Sequence, residues 1–195
     1  SRPAARIVTV TSTDAPTADR IRSAALRLFA HKGFAAVGIR ELADAAGLSS
    51  ASLYHHMGTK DELLVSIMDD GQTRLTEIAA AALEGVERPE IRLARLAQVH
   101  VVMHAVYQLE CRVVDTELRS LTGSDRTRVV AARDDYQRLW TSAVADGITD
   151  GVFSVEQPKL TVLALLDLCT GVAAWFRPGG ELDAYELAHH HAGLA

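Results

Sequence analysis

The sequence has little that would suit a secreted, membrane-spanning or disulfide-bonded protein. Its two cysteines, Cys111 and Cys169, lie in no spacing typical of a metal site, and we interpret both as reduced thiols. No run of about 18 apolar residues lacks a charge, because the richest stretch contains Asp167. The opening SRPAARIVTVTSTD lacks the long apolar segment of a secretory signal. These absences predict a cytoplasmic protein without a membrane span.

Alternating strand patterns, internal repeats and low-complexity tracts are also missing. The 195 residues are 48% apolar and 23% charged, which is typical of a globular chain able to bury a sizeable core. Apolar residues recur at helical spacing instead, as at Ile21, Ala25, Leu28 and Phe29. The pattern therefore predicts an all-α fold.

Caps and helix breakers predict four helices in the N-terminal third. Thr17 is the expected cap of the first, which ends at Gly33, and Ser49 is the expected cap of the third. Thr59 and Glu62 have the spacing of a capping box at the start of a long fourth helix. The short second and third helices are expected at residues 39–46 and 50–56.

The rest of the chain is also predicted to be helical. Pro89 and Pro158 suit the first positions of helices, and Ser124 suits a cap. The expected helices cover residues 89–109, 111–121, 124–146, 158–176 and 182–191.

Charge is distributed unevenly along the chain. Residues 1–60 contain eight Lys or Arg and four Asp or Glu, so they carry +4, whereas the remaining residues carry −9. This asymmetry favours a small part that binds a polyanion, joined to a larger part with another role.

The short helices at residues 39–56 have the spacing of a helix-turn-helix. Ala43 is small enough for a close helix crossing, Gly47 permits a positive φ in the turn, and Leu53 anchors the second helix in the core. Small side chains at the outer face would let that helix enter the major groove and read base edges, with phosphate donors at its edge. The predicted DNA-binding residues are Arg40, Ser49, Ser50, Ala51, Ser52, Tyr54, His55 and Lys60.

The run AALRLFAHKGFAAVGIRELADAAGLSSASLYHHMGTKDELL closely resembles the N-terminal domain of TetR-family transcriptional regulators. The resemblance implies a homodimer whose first three helices bind double-stranded DNA and whose larger C-terminal domain binds an effector. It also implies DNA contacts from Val37, Gly38 and Arg40. The family usually has Thr or Ser where this chain has Val37-Gly38, so Gly38 is expected to cap its helix through the backbone alone.

Three segments follow from this reading: a flexible arm at 1–16, a helix-turn-helix domain at 17–62, and an effector-binding and dimerisation domain at 63–195. The helix predicted at 158–176 is apolar nearly all round, so we expect a second subunit to bury one of its faces. The predicted interface residues are Leu163, Gly171, Leu182 and Tyr185.

Polar and large side chains in the C-terminal helices are candidate ligand contacts, with no metal and no cofactor expected. His100 and His104 can instead form a hydrogen-bonded pair, and Asp167 can instead be a buried acid paired with an arginine. Met and Trp can simply belong to the core, and the run of three histidines from His189 can be a solvated helix end or bind metal. The candidates are Met68, His100, Met103, His104, Tyr107, Trp140, Asp167 and Trp175.

The segment WFRPGG resembles TetR members that respond to acyl-CoA thioesters of lipid or steroid catabolism. The resulting hypothesis is a repressor that a small, largely apolar effector releases from a near-palindromic operator. The alternatives are an effector of another class, such as a drug-like or aromatic compound, and a helical adaptor without DNA affinity. A helical enzyme using His100, His104 and Asp167 is a further alternative, although no nucleophile-and-base arrangement supports it.

Overall fold

The computed structural model describes residues 16–195, and within that range it contains helices and turns but no strand. The arm predicted at 1–16 lies outside the described residues except for Pro16. Ten α-helices are present in the described range: α1 (Thr17–Lys32), α2 (Ile39–Ala46), α3 (Ser50–Met57), α4 (Lys60–Leu83), α5 (Pro89–Val106), α6 (Gln108–Thr116), α7 (Gly123–Thr149), α8 (Pro158–Thr170), α9 (Val172–Trp175) and α10 (Ala184–Ala192). Two short 3₁₀ turns, Phe34–Ala36 and Glu117–Ser120, follow α1 and α6.

Local capping signals placed the starts of α3 and α4 correctly. The Ser49 hydroxyl accepts a hydrogen bond from the backbone N–H of Ser52 at 3.2 Å, which caps α3. The Thr59–Glu62 capping box is present, with Thr59 N–H donating to the Glu62 carboxylate at 2.7 Å. Hydrogen bonds from Thr59 lower the pKa of Glu62. These contacts fix the starts of α3 and α4.

Several helix boundaries differ from the sequence prediction, among them those of α6 (Gln108–Thr116, predicted at 111–121) and α10 (Ala184–Ala192, predicted at 182–191). Thr17 is the first residue of α1 rather than its cap, because the extended backbone of Pro16 occupies the cap position. Thr122, without a side-chain cap bond, precedes α7 in place of Ser124. The long helices also break: α5 ends at Val106 before Tyr107, and α8 ends at Thr170, where Gly171 starts the kink into α9.

The first apolar core joins the DNA-binding helices to the larger domain. It contains residues of α1, α2 and α3, the first turns of α4, and four residues from later in the chain. Those four are Val113, Val114, Leu121 and Val129. The boundary predicted at residue 62 stays a prediction, but this core extends across it, so the packing of the two domains is continuous there.

The second core lies between α5, α7, α8 and α10. Trp140 of α7 is fully buried at its centre, among Leu96, Val101 and Val144. Because α5 contacts α4, α7, α8 and α10, it forms the central helix of the larger domain.

The outer face of α8 is apolar and uncovered within one chain. Residues 158–175 are long and apolar enough to cross a membrane by composition, and 22% of that stretch is buried. Asp167 and the kink at Gly171 interrupt it, and its exposed leucines include Leu160 and Leu168. A second copy of the chain, as the TetR resemblance implies, would bury this face. Of the predicted interface residues, Leu182 and Tyr185 are also exposed, whereas Gly171 is half-buried.

We expect Leu168→Glu to convert the dimer into monomers, because it places a carboxylate on the apolar face of α8. Val152→Glu is the matched control, since Val152 is similarly exposed but lies in the loop before α8. Light scattering at micromolar protein measures the mass of each variant. A stable Leu168→Glu dimer would contradict this placement of the interface.

Candidate functional site

The turn between α2 and α3 has the geometry that the helix-turn-helix prediction requires. Gly47 has φ +67 and ψ +40, a left-handed conformation that glycine adopts without strain. Arg20 of α1 donates to the carbonyls of Ala46 and Gly47 at 2.5 and 3.1 Å. A Cβ at Gly47 would lie 2.7 Å from the Arg20 guanidinium, so the turn also needs glycine for space. Ala43 and Leu53 are buried as expected.

The exposed face of α3 carries the predicted recognition residues. Ala51, Tyr54 and His55 are exposed, and Ser50 and Ser52 are half-buried. Ser49 is exposed too, but its hydroxyl is used as the helix cap, so its role at a DNA surface would be structural. The geometry keeps this face small at its start and aromatic at its end, which suits entry into a major groove.

Lys60 makes contacts inside the domain that the sequence did not predict, and its phosphate contact stays a prediction. Its Nζ donates to the carbonyls of Phe34 and Val37, both at 2.9 Å, and lies 4.1 Å from the centroid of the Phe34 ring. Two of its three N–H donors are therefore committed inside the domain. Lys60 ties the start of α4 to the Phe34–Ala36 turn and to the residue before the α2 cap.

The start of α2 also differs in part from what the family resemblance implied. Val37 is buried in the first core and is not available to DNA, because its side chain packs inward. Gly38 occupies the cap position with no side-chain hydrogen bond, as its lack of a hydroxyl predicted. Arg40 is exposed one residue into the helix.

A cavity of about 330 Å³ lies between α4, α5, α6, α7 and α8. It is bordered by the helix that begins at the DNA-binding domain, so its contents can act on that domain directly. Its lining residues are Gly71, Gln72, Leu75, His100, Met103, His104, Glu110, Cys111, Val114, Asp115, Arg133, Tyr136, Gln137, Leu163, Leu166, Asp167 and Thr170.

Four predicted ligand residues, His100, Met103, His104 and Asp167, line this cavity. Leu163, predicted for the dimer interface, lines it as well because α8 contributes one face to the cavity. The other four predicted residues do not line this cavity, since helix packing places them elsewhere. The displaced residues are Met68, buried in the first core, Trp140, buried in the second core, Tyr107, on a separate surface groove, and Trp175, exposed on α9.

His100 and His104 form a stacked pair with ring centroids 4.1 Å apart. The two ring nitrogens of His100 lie 2.9 Å from the Tyr136 hydroxyl and 3.0 Å from the Thr170 hydroxyl. A neutral imidazole satisfies both contacts, one as donor and one as acceptor. Burial lowers the pKa of His100 well below its usual value, and the neighbouring His104 and Arg133 lower it further.

His104 connects this pair to the charged wall of the cavity. Its Nδ1 donates to the His100 carbonyl at 2.8 Å, and its Nε2 lies 3.3 Å from the Asp115 carboxylate. Asp115 also lies 3.8 Å from the Arg133 guanidinium. Because that contact is long, most Arg133 donors remain for a ligand acceptor. Among residues 16–195, no three His, Cys, Asp or Glu side chains are grouped to hold a metal ion.

The sequence prediction missed much of the polar lining of the cavity. Arg133 and Gln137 are one helical turn apart on α7, and Cys111 and Asp115 are one turn apart on α6. This i, i+4 spacing of polar residues was the available signal. It could not show that the two helices face each other, because that depends on their packing angle.

We expect the free energy of unfolding to fall as pH decreases below about 6.5, the usual histidine pKa in an unfolded chain. His100 stays neutral in the folded protein while the unfolded chain takes up a proton, so acid favours unfolding. Above that pH, His100 should make no further contribution to the slope.

Urea unfolding across a pH series tests this expectation, with His100→Gln and the exposed-histidine variant His56→Gln as a matched pair. The slope between roughly pH 5 and 6.5 should decrease by up to one proton in His100→Gln only. Equal slopes in all three proteins would show that His100 titrates normally in the fold.

Comparison with protein families agrees with the geometry of both domains. The model of bacterial regulatory proteins of the tetR family matches residues 21–67. The model of the tetracyclin repressor-like C-terminal domain matches residues 86–195, more than half of the chain. The helix-turn-helix and the cavity-bearing domain thus each have a family match.

Individual relatives extend over most of the chain. The transcriptional repressor KstR2 of Rhodococcus jostii is 29% identical over 87% of this chain and 84% of its own length. The structure of the ketosteroid transcriptional regulator KstR2 of Mycobacterium tuberculosis has a TM-score of 0.85 at 22% identity, covering 92% of both chains. AibR, solved with isovaleryl coenzyme A and operator DNA, has a TM-score of 0.82 at 23% identity, covering 92% of this chain and 97% of AibR.

Both parts of the chain therefore lead to one assignment. The helix-turn-helix would read DNA, a second copy would cover α8, and the cavity beside α4 would take a small molecule. The chain belongs to the TetR family of bacterial transcriptional regulators, which bind operator DNA as dimers and respond to small-molecule effectors.

Proposed function

We propose that this regulator represses its target genes and leaves its operator when an acyl compound, carried as a coenzyme A thioester, binds the cavity. The observation that carries the proposal is the cavity itself, because α4 forms one of its walls and begins at the DNA-binding domain. The repressor KstR2 and the AibR complex with isovaleryl coenzyme A support this effector class.

The size of the cavity limits which part of the ligand it can hold. At about 330 Å³ it lies at the lower end of the usual range for ligand pockets, so it suits an acyl or ring moiety and not a whole thioester. Leu75, Leu163 and Leu166 offer apolar contacts, whereas Arg133 and Gln137 offer hydrogen bonds. We infer an effector with an apolar body and at least one polar group, whose coenzyme A part extends outside the cavity.

The cavity also supports a binding role over catalysis. His100 uses both ring nitrogens on neighbouring hydroxyls, so it is not placed to act as a base on a ligand. Burial and the nearby Asp115 and Glu110 raise the pKa of the Cys111 thiol, which makes it a poor nucleophile. We infer that the protein is not an enzyme and that it acts in the cytoplasm, where its DNA partner lies.

DNA binding would use the two α3 helices of a homodimer. Two symmetric recognition helices require half-sites roughly 34–36 Å apart, which predicts a near-palindromic operator. Ser50, Ala51 and Ser52 are placed to read bases, while Tyr54 and Arg40 are placed to contact phosphates. The net positive charge of residues 1–60 supports this docking.

Release would follow from movement of α4. Met68, which the sequence suggested as a ligand contact, is packed in the first core. Gly71, Gln72 and Leu75 line the cavity instead, one to two turns further along α4. The ligand must bind the DNA-free geometry better, and a hundredfold preference corresponds to about 2.7 kcal/mol of coupling.

The effector class can be tested by titrating acyl-CoA thioesters into a complex of the protein with operator DNA. The panel contains isovaleryl, fatty acyl, aromatic acyl and steroid-derived thioesters, with the matching free acids and coenzyme A alone. We expect release by at least one thioester and by none of the free acids. Release by free acids alone would refute the thioester part, and no release by any compound would refute the ligand class.

Arg133→Leu should raise the thioester concentration needed for release by about tenfold or more, because it removes a charged hydrogen-bond donor from the cavity. Arg138→Leu is the matched control, since Arg138 lies on the same helix but outside the cavity and is largely exposed. Equal shifts in the two variants would indicate that α7 charge, and not the cavity, determines the response.

The role of Lys60 can be separated from a phosphate contact by salt dependence. We expect Lys60→Met to weaken operator binding by roughly tenfold, because it loses hydrogen bonds from a charged group, while the salt slope stays unchanged. Arg40→Met should instead flatten the slope by about one ion, as loss of a phosphate contact does. A flatter slope for Lys60→Met would restore Lys60 as a phosphate contact.

A further inference from the structure

The Phe34–Ala36 turn, which leads into α2, is held from two sides. Lys60 of α4 donates to the carbonyls of Phe34 and Val37. From the other domain, the Glu117 carboxylate accepts the backbone N–H of Phe34 at 3.2 Å. The backbone polar groups of Phe34 are therefore bonded by Lys60, the first residue of α4, and by Glu117, which directly follows α6.

Glu117 is unusual because it is a buried carboxylate with 3% of its surface exposed. Its second oxygen accepts a hydrogen bond from the Ser120 hydroxyl at 2.8 Å, and no Lys or Arg in residues 16–195 pairs with it. Burying a carboxylate is unfavourable unless its hydrogen bonds are well placed. An apolar residue at position 117 could be buried at a lower free-energy cost. It could not accept the hydrogen bond from the Phe34 N–H, which Glu117 does.

The helix before Glu117 forms a wall of the cavity. Glu110, Val114 and Asp115 of α6 line it, and Glu117 begins the next turn directly after α6 ends at Thr116. At about 1.5 Å per residue, Glu110 and Glu117 are separated by about 10 Å of stiff helix. A displacement of α6 at the cavity would therefore move Glu117 by a similar distance.

Glu110 ties the same helix to the neighbouring helices. Its side chain is 8% exposed and accepts hydrogen bonds from Arg22 of α1 at 3.0 Å and from Arg74 of α4 at 2.9 Å. Glu110 thus ties α6 to α4 at the cavity, and Glu117 ties the end of α6 to the Phe34–Ala36 turn.

We propose that Glu117 is a positioning residue that conveys the spacing between α4 and α6 to the DNA-binding helices through the Phe34–Ala36 turn. The inference rests on the proposed function, in which the effector enters between these helices. When α6 moves away from α4, Glu117 pulls on the Phe34 N–H while Lys60 holds the neighbouring carbonyls. The start of α2 then rotates, and the α2–α3 unit leaves the orientation that fits DNA.

The chain contains a site where α6 can be displaced without any effector. A Cβ at Gly71 of α4 would lie 3.1 Å from Val114 Cγ2 and 3.3 Å from Glu110 Oε1. Gly71→Ala therefore requires these α6 side chains to shift by a few tenths of an ångström, and we use it as a minimal wedge between the two helices. Alanine is also a better helix former than glycine, so a loss of DNA binding in this variant would not reflect a weaker α4.

The test is a double-mutant cycle on operator binding with wild type, Gly71→Ala, Glu117→Ala and the double variant. We expect Gly71→Ala to weaken binding by about tenfold in the wild-type background and by less than about threefold when Glu117 is Ala. Glu117→Gln keeps a carbonyl oxygen to accept the Phe34 N–H, so it should restore most of the Gly71→Ala effect.

Hydrogen exchange provides a second measurement. The Phe34 amide should exchange faster in Glu117→Ala than in wild type, and at the wild-type rate in the control Thr73→Ala, an exposed position on α4. An equal Gly71→Ala penalty in both backgrounds, or none in either, would overturn the role of Glu117. Absence of operator binding by the wild type would instead refute the proposed function, so the two failures are distinguishable.

Discussion

The structure depends on an apolar core that the DNA-binding helices cannot complete alone. The first three helices alone would leave much of their apolar surface exposed, and the first turns of α4 cover part of it. Val113, Val114, Leu121 and Val129 of the larger domain finish the same core. The helix-turn-helix is consequently part of a continuous packed unit with α4 and α6, and any change in the spacing of those helices acts on the DNA-binding surface.

Polar contacts fix how these helices are oriented relative to one another. Lys60 and Glu117 satisfy the backbone groups of the Phe34–Ala36 turn, and Glu110 joins α6 to α1 and α4. Buried hydrogen bonds tolerate little change in distance or angle, so they restrict how these helices can shift against one another. Glu110 lines the cavity, so a ligand that displaced α4 or α6 would act on its bonds to Arg22 and Arg74.

The helix-turn-helix could be predicted from the sequence because its signals are local. Gly47, the Ser49 cap and the Thr59–Glu62 box act within a few residues of the chain, and all three are found where they were expected. Only half of the residues predicted to contact a ligand line the cavity. His100 and Asp167 line the cavity, but Trp140 does not, because the angle at which α5 and α7 cross turns its indole into the second core.

The sequence by itself determined the helical class, the caps of α3 and α4, the helix-turn-helix and the asymmetry of charge. Each of these depends on neighbouring residues or on composition. Only the tertiary structure decided that Lys60 faces inward to backbone carbonyls, that Arg133 and Asp115 meet across the cavity, and that Glu117 reaches Phe34. Those contacts join residues far apart in the chain. Their distances depend on how whole helices pack, and that packing minimises the free energy of the entire core and not of any single segment.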